Sequence, residues 1–418
     1  MCTHEPRLKA HDSWSTSQQS RPPSRTETSA ALDWLIIGGG IHGVHIAARL
    51  LGEADVSPDQ LRIVDPSERL LARWRTCTET TGMSHLRSPS VHHLDLDPWS
   101  LQRFAGKRKT RRRGLFAFPY ERPSLALFND HCDEVVKTFR LADLHVRDRV
   151  SACSIKRSGV GVQLSSGSEI TARRVVLAIG AGEQPRWPTW APPSAPRIHH
   201  AFAPGFDGWP STRETVAVVG GGISAGQVAL RLSGQGHRVH LVSRHPLREH
   251  QFDSDPGWLG PKLMPSFRRE SDYVRRRAII TNARYTGSVP PDVRIALRRA
   301  TAPERLQWHE GAVESLRERD RSLELQLTTG AALEVERVLL ATGFGTRRPG
   351  GPMVDELIAS ASLPCAPCGY PIVDAALRWH PRIHVSGPLA ELELGPASRN
   401  IAGARRAGDR LVDVAAAS

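Results

Sequence analysis

The sequence predicts an α/β protein with two Rossmann-like dinucleotide-binding domains, the second inserted in the first, and small β-meanders attached to each. Three observations carry this. Asp33-Trp34-Leu35-Ile36-Ile37-Gly38-Gly39-Gly40-Ile41-His42-Gly43 is an apolar strand running into a glycine turn, followed by the helix-like Val44–Leu50. The same logic returns at Thr215–Val219, Gly220-Gly221-Gly222-Ile223-Ser224-Ala225-Gly226 and Gln227–Leu232. Finally, Val175–Gly180 and Glu336–Phe344 are buried-type strands that end in small residues, where the chain would cross between domains.

In the first turn Gly38 permits the tight bend, Gly40 lets the backbone approach a diphosphate, and Gly43 lets helix and strand pack closely. The helix N-terminus adds free N–H groups and a partial positive charge. A second strand, Leu61–Val64, ends in Asp65, about 20 residues on, where a carboxylate can accept both ribose hydroxyls of an adenosine.

At 418 residues the chain exceeds one typical domain. Its net charge of +13 and pI of about 10.1 come from arginines spread along the chain, and a positive field also suits anionic dinucleotides, so no nucleic acid is expected. Six sparse, irregularly spaced cysteines suit a reducing compartment rather than a disulfide scaffold, and cytoplasmic is the expected location. Residues 1–31 are rich in Ser, Thr, Arg, Gln and Pro and read as a disordered tail without a secretory signal. No run is long enough to span a bilayer.

After Asp65 the chain passes Arg73-Trp74-Arg75 and a polar stretch from Gly82 to His93 that includes Met83 and His92; in a flavin protein it would lie along the isoalloxazine. The adjacent pairs His92-His93 and His199-His200 point different ways on a strand, and no metal site is expected. The basic run Lys107–Arg113 lacks interleaved aromatics and reads as a solvated loop. Phe116–Arg140 reads as an apolar-periodic helix entered through Pro119 and Pro123. Alternation over Leu144–Val150, Ala152–Lys156 and Val160–Leu164 suggests a β-meander. The prolines from Pro185 to Pro204 mark a linker, with a boundary near 205.

In the second turn the third small position is Ala225, and the following strand, Arg238–Val242, ends in Ser243-Arg244 instead of an acid. An arginine there offers a fork to a ribose 2′-phosphate, which favours NADPH over NADH. His250–Pro261 is aromatic and turn-rich, and a loop near the nicotinamide is expected. Arg275–Arg277 and Arg284 either assist the phosphate or form a solvated helix face. Another meander, with Leu323–Leu327 as one strand, leads to Glu336–Phe344. The last informative stretch, Ile383–Arg405, contains Gly387, Gly395 and Asn400: a strand, a long turn and a helix start whose N-terminus could stabilise negative charge on a reduced flavin.

These motifs resemble the two-dinucleotide-domain flavoproteins. Glu336, three residues, then Leu340-Ala341-Thr342-Gly343-Phe344 is similar to the late motif of the lysine and ornithine N-hydroxylating monooxygenases of siderophore biosynthesis, with Glu for the usual Asp and Phe for the Tyr. Gly220–Ala225 resembles their NADPH turn, with Gln227 where a Glu is usual. Leu86–His93, His250–Pro261 and Gly387–Arg405 look more like a bacterial branch described only as FAD/NAD(P)-binding proteins. The resemblance implies FAD in a domain formed by 32–205 and 335–412, NADPH in an inserted domain at 206–334, and a tail at 413–418.

It further implies a small-molecule substrate and O2: hydroxylation of a soft nucleophile, such as an amine nitrogen, through a C4a-hydroperoxyflavin. The cofactor sites would be Gly38, Gly40, Gly43, Asp65, Met83, Gly180, Gly220, Gly222, Ser224, Ala225, Ser243, Arg244, Gly343, Gly387 and Gly395. Asn400, Asn282 and His92 are candidates for hydrogen bonds to flavin, NADP or substrate. Other readings share these motifs: an NAD(P)H reductase without oxygen insertion, a disulfide reductase using Cys365 and Cys368, and a non-enzymatic flavin- or NADP-binding regulator. Neither the substrate nor the oligomeric state is set by the sequence.

Overall fold

The computed structural model describes residues 31–106, 114–302 and 304–417. The expected disordered tail, apart from Ala31, and the basic run at 107–113 lie outside the described residues. The chain opens with β1 (Leu32–Ile37), α1 (Ile41–Glu53), β2 (Leu61–Asp65), β3 (His145–Arg147) and β4 (Glu169–Leu177). It then builds β5 (Ile198–His200), β6 (Thr215–Val219), α2 (Ile223–Gly234), β7 (Arg238–Ser243), β8 (Leu306–Glu310) and β9 (Arg337–Leu340). It closes with β10 (Arg378–His380), β11 (Ile383–Val385) and α3 (Ile401–Ala416).

One sheet runs β10-β11-β4-β1-β2-β3, with Val160–Leu164 and Val150–Ile155 added antiparallel beside β4. The other is five parallel strands in the order β8-β7-β6-β9-β5. The first sheet draws strands from both ends of the chain and the second only from the middle, so the second unit is inserted in the first. Parallel strands covered on both faces must be apolar throughout. Accordingly Trp34–Ile37 and Val175–Leu177 are buried and lie in register, Ile37 beside Val64 on one side and Leu177 on the other. On this sheet α1 packs against α3, which small residues permit: a Cβ on Gly408 would come within 3.1 Å of His45 Nε2.

Several expected boundaries move. β5 and β9 belong to the second sheet, because β9 pairs with β6 and β5 with β9, so the inserted unit reaches outside 206–334 on both sides. The proline-rich linker is packed, with Ala191 and Ala195 buried in the inserted unit's core. The closing helix continues through Ala416, past the expected tail start at 413. His145–Arg147 pairs in parallel with β2 instead of joining a meander. The helix expected over Phe116–Arg140 begins only at Leu125; Phe116–Ala117 and Arg122–Pro123 form a short hairpin, and the Ser124 side chain caps the helix by accepting from Leu127 N. Proline has no N–H to give a helix interior, and Pro119 and Pro123 keep this segment out of it.

Candidate active site

The first glycine turn is closed by backbone. Gly38 has φ of +113°, and a Cβ on it would lie 2.6 Å from Ala178 O. A Cβ on Gly43 would lie 1.8 Å from Gly38 O, whereas one on Gly40 would meet nothing within 4 Å. Gly40 therefore faces open space at the head of α1. Asp65 ends β2 with both oxygens engaged, accepting from Gly39 N at 2.7 Å and Ser67 N at 2.9 Å. Each oxygen keeps a second lone pair for a ribose hydroxyl.

In the second turn Gly220 has φ of +156°, and a Cβ on it would lie 2.5 Å from Ala341 O and 3.0 Å from the Ala225 Cβ. The helices α1, α2 and α3 start at Gly40, Gly222 and Asn400 without a side-chain cap. By contrast, Leu125–Thr138 and Tyr273–Ala283 are capped by Ser124 and Asp272. Uncapped first turns at two glycine cradles leave N–H groups and positive dipole ends to an anionic ligand.

A cavity of about 1000 Å³ joins the second turn to the first unit. Gly220, Gly222, Ser224, Arg244 and Gly343 line it from the inserted unit, and Trp74, Cys77 and Met83 from the first. Burial raises the pKa of the Cys77 thiol, although Arg73 opposes this. The seam is tied by arginines. Arg87 donates to the carbonyls of His250, Gln251 and Phe252 and to Ser288 Oγ at 2.6–2.8 Å. Arg73 donates to Gly182 O and Phe202 O, and Arg231 to Glu79 O and Thr80 O. The two crossovers run side by side, with Arg186 N donating to Gly343 O and Gly345 N to Gln184 O.

The candidates from sequence separate here. Arg244 is exposed on the cavity wall, but Ser243 is buried, its hydroxyl donating to His245 O and accepting from Trp308 Nε1. Ala225 is buried behind the turn as a packing residue. Asn282 is exposed near the end of its helix, off the cavity wall, and the chain turns inward only at Arg284 and Tyr285. His92 also lies off the cavity wall; its pKa falls to about 4 through burial and the charges of Arg405 and Arg406. A Cβ on Gly180 would meet only Gly182 N, at 4.0 Å, and one on Gly395 would lie 3.1 Å from the Met264 sulfur. Gly387 lies under the His42 ring. Asn400 donates to Asp253 Oδ1 at 3.3 Å and thereby links the start of α3 to the cavity wall.

Sequence reasoning missed Asp253 and gave Arg284 no firm role. Asp253 is the one carboxylate among the described lining residues, beside five arginines. The only sequence signal for it was its place in the turn-rich 250–261 loop. Arg284 Nη1 is shut off from solvent without a hydrogen-bond partner, and burial lowers its pKa against the pull of Asp253. Behind it Glu391 is buried. Burial alone would raise its pKa, but hydrogen bonds and charge from Arg399, at 2.7 and 2.9 Å, and from Arg277 outweigh that and lower it. The late motif is tied in as well: Glu336 accepts from Thr215 N at 2.7 Å, and Phe344 stacks on Phe202 with centroids 5.2 Å apart. Cys365 and Cys368 are unpaired thiols, and neither is on the cavity wall.

Paired glycine turns, each following a parallel strand and meeting at one seam, define an α/β fold with two dinucleotide-binding-type units. Residues 35–182 match the family model described as FAD-NAD(P)-binding. In structure the chain is similar to an ornithine N-hydroxylase of Kutzneria sp. 744, with TM-score 0.74 and 17% identity over 92% of this chain and 99% of that one. It is also similar to the cadaverine monooxygenase of the desferrioxamine pathway of Erwinia amylovora, with TM-score 0.73 and 16% identity over 93% and 95%. The ornithine hydroxylase of Pseudomonas aeruginosa gives TM-score 0.72 and 16% identity over 93% and 99%. No curated protein matches the chain by sequence.

Proposed function

We propose that this protein is an FAD-dependent, NADPH-using monooxygenase that hydroxylates a soft nucleophile such as an amine nitrogen. The observation that carries the reading is the seam, where one cavity runs from the second glycine turn to Trp74 and Met83 of the first unit. The fold shared with ornithine and cadaverine monooxygenases supports it. Gly38, Gly40, Gly43 and Asp65 would hold FAD, and Gly220, Gly222, Ser224 and Arg244 would hold NADPH. When bound, the flavin supplies hydride acceptance and oxygen activation.

The chain's own residues position and shield that chemistry. Trp74, Met83, Phe202 and Phe344 give part of the cavity an apolar wall. Asp253 offers a carboxylate that can hold and orient a substrate ammonium. The uncapped head of α3 would supply a positive dipole end to negative charge on a reduced ring. Sparse cysteines, unpaired among the described residues, fit the cytoplasm. Among the described residues no helix is long and apolar enough to cross a membrane.

The test is anaerobic reduction by NADPH and by NADH, followed by mixing with oxygen and a screen of amines for hydroxylamine product. Faster reduction by NADPH and amine-dependent hydroxylamine are expected. Rapid reoxidation that yields only peroxide with every amine would favour a reductase. A protein that binds neither cofactor would sink both readings.

A further inference from the structure

Cys365-Ala366-Pro367-Cys368-Gly369-Tyr370 folds as a tight hairpin away from the cavity wall. Cys365 bridges Pro371 in antiparallel fashion, Ala366 N donates to Tyr370 O at 2.9 Å, and Gly369 N donates to Ala366 O at 2.7 Å. Gly369 has φ of +77°. Proline leads the turn, and glycine supplies the left-handed residue that closes a three-residue loop. The turn thus carries Cys368 in its loop and Cys365 at its base. The two sulfurs are near enough for charge on one to act on the other. A disulfide needs their Cα atoms only about 4–7 Å apart.

The hairpin is held on a charged base. The Arg277 guanidinium lies 4.0 Å from the centre of the Tyr370 ring, and the Tyr370 hydroxyl accepts from Arg399 Nη2 at 3.1 Å and donates to Thr346 O at 3.0 Å. Both arginines hold Glu391 behind the cavity wall. Arg277 Nε and Nη2 are buried without a hydrogen-bond partner, and Cys368 is close enough to act on the guanidinium. A negative sulfur at Cys368 would give those donors an acceptor. The same positive charge disfavours a metal cation, and among the described residues no third His, Cys, Asp or Glu joins the two thiols.

The two cysteines differ in access. Cys368 is the exposed one of the described cysteines, whereas Cys365 is half-buried. Burial raises the Cys365 pKa against the pull of Arg348, and charge on Cys368 raises it further. Elsewhere Cys132 and Cys153 are buried in the core, where burial pushes the Cys153 thiol up to about 12. In a reducing compartment a close pair of accessible thiols is suited to transient oxidation rather than to a permanent crosslink.

We propose that Cys365 and Cys368 are a redox-active dithiol, in which Cys368 meets hydrogen peroxide and Cys365 resolves the product to a disulfide. The Cys368 sulfur attacks one peroxide oxygen, the O–O bond breaks, and the departing oxygen leaves as water with the thiol proton. The Cys365 sulfur then attacks the sulfenic acid, the S–O bond breaks, and a second water leaves with the Cys365 proton. Two electrons pass from the sulfurs to the peroxide. A thiol reductant reverses the reaction by exchange.

The test exposes the reduced full chain to hydrogen peroxide, labels the remaining thiols with a maleimide and maps the peptides by mass. The wild-type peptide that carries both cysteines should lose its labelling and weigh about 2 Da less, and dithiothreitol should restore it. Cys132 and Cys153 should remain thiols. Cys365→Ser should leave Cys368 as a sulfenic acid that dimedone traps, whereas Cys368→Ser should leave Cys365 free to label. Labelling of Cys365 and Cys368 that peroxide does not change would overturn the proposal. So would a disulfide between chains, or an over-oxidised Cys368 beside a free Cys365 in the wild type, since either shows that Cys365 does not resolve. If a serine variant does not fold, the wild-type peptide map still decides.

Discussion

The two glycine turns are near-copies in sequence, yet they differ in what limits them. In the first, Gly43 has no room for a Cβ, which would lie 1.8 Å from Gly38 O, and the acid that ends β2 is tied to the turn itself. In the second, the equivalent position holds Ala225, whose methyl is accommodated, and β7 leads into an exposed arginine. Both turns are closed by backbone at their first glycine, but only the first is also closed at its third position, and only the second is followed by an exposed arginine. One should fail as a fold element and the other as a selectivity element.

The largest effect should follow from Gly43→Ala. An overpacked site costs about 1–3 kcal/mol, and a clash between backbone atoms that cannot rotate away belongs at the top of that range. Loss of flavin and a lowered Tm are expected. Ala225→Gly should cost no more than the helix-propensity difference of about 1 kcal/mol. Equal losses of Tm in the two variants would erase the contrast.

Next comes the seam. Arg87→Ala removes donors to three carbonyls and a hydroxyl and should destabilise the contact between units by about 2–3 kcal/mol. Arg87→Lys should recover little, because a point charge cannot copy the planar fork. Proteolysis of the 244–262 loop should rise in both variants; unchanged cleavage would show that the loop is held by other contacts.

Arg244→Ala should cost about 1.5–3 kcal/mol in NADPH binding, or roughly 10- to 100-fold, with NADH affected little. Equal losses for the two nucleotides would show that Arg244 does not read the 2′-phosphate.

The smallest effect is a graded one with pH. In the first unit burial pushes His92, His131 and His384 down to about 4 and His93 to about 3 from 6.5; in the second unit it holds His200 and His240 at about 4. Such groups are neutral when folded, while the unfolded chain gains protons as pH falls through 6.5. Their stabilising contribution is complete above about 6.5 and is lost as pH falls toward the folded values. The first unit carries more of them, so acid should release flavin before NADPH binding fails. The reverse order in a pH titration would contradict this.

The cradles were legible because their chemistry is local. Gly38, Gly40 and Gly43 lie within one turn, and their backbone demands can be read from spacing. Ser243 was misjudged because its neighbours, His245 O and Trp308, decide whether its hydroxyl is available. Asn282 was misjudged because a helix ends one residue later and turns the next residues, not that one, toward the cavity. The strand β9 was assigned to the wrong unit because an apolar strand does not state which sheet it joins.

The sequence by itself determined the two glycine turns and the insertion of one unit in the other, since the strand–turn–helix pattern that marks each unit lies within a short run of the chain. Only the tertiary structure decided the seam. It brought Met83, Asp253, Arg284 and Asn400 toward one region and set His42 across from Ser386, a partner 344 residues away. Such contacts depend on how separate elements pack, and no local pattern of residues records that.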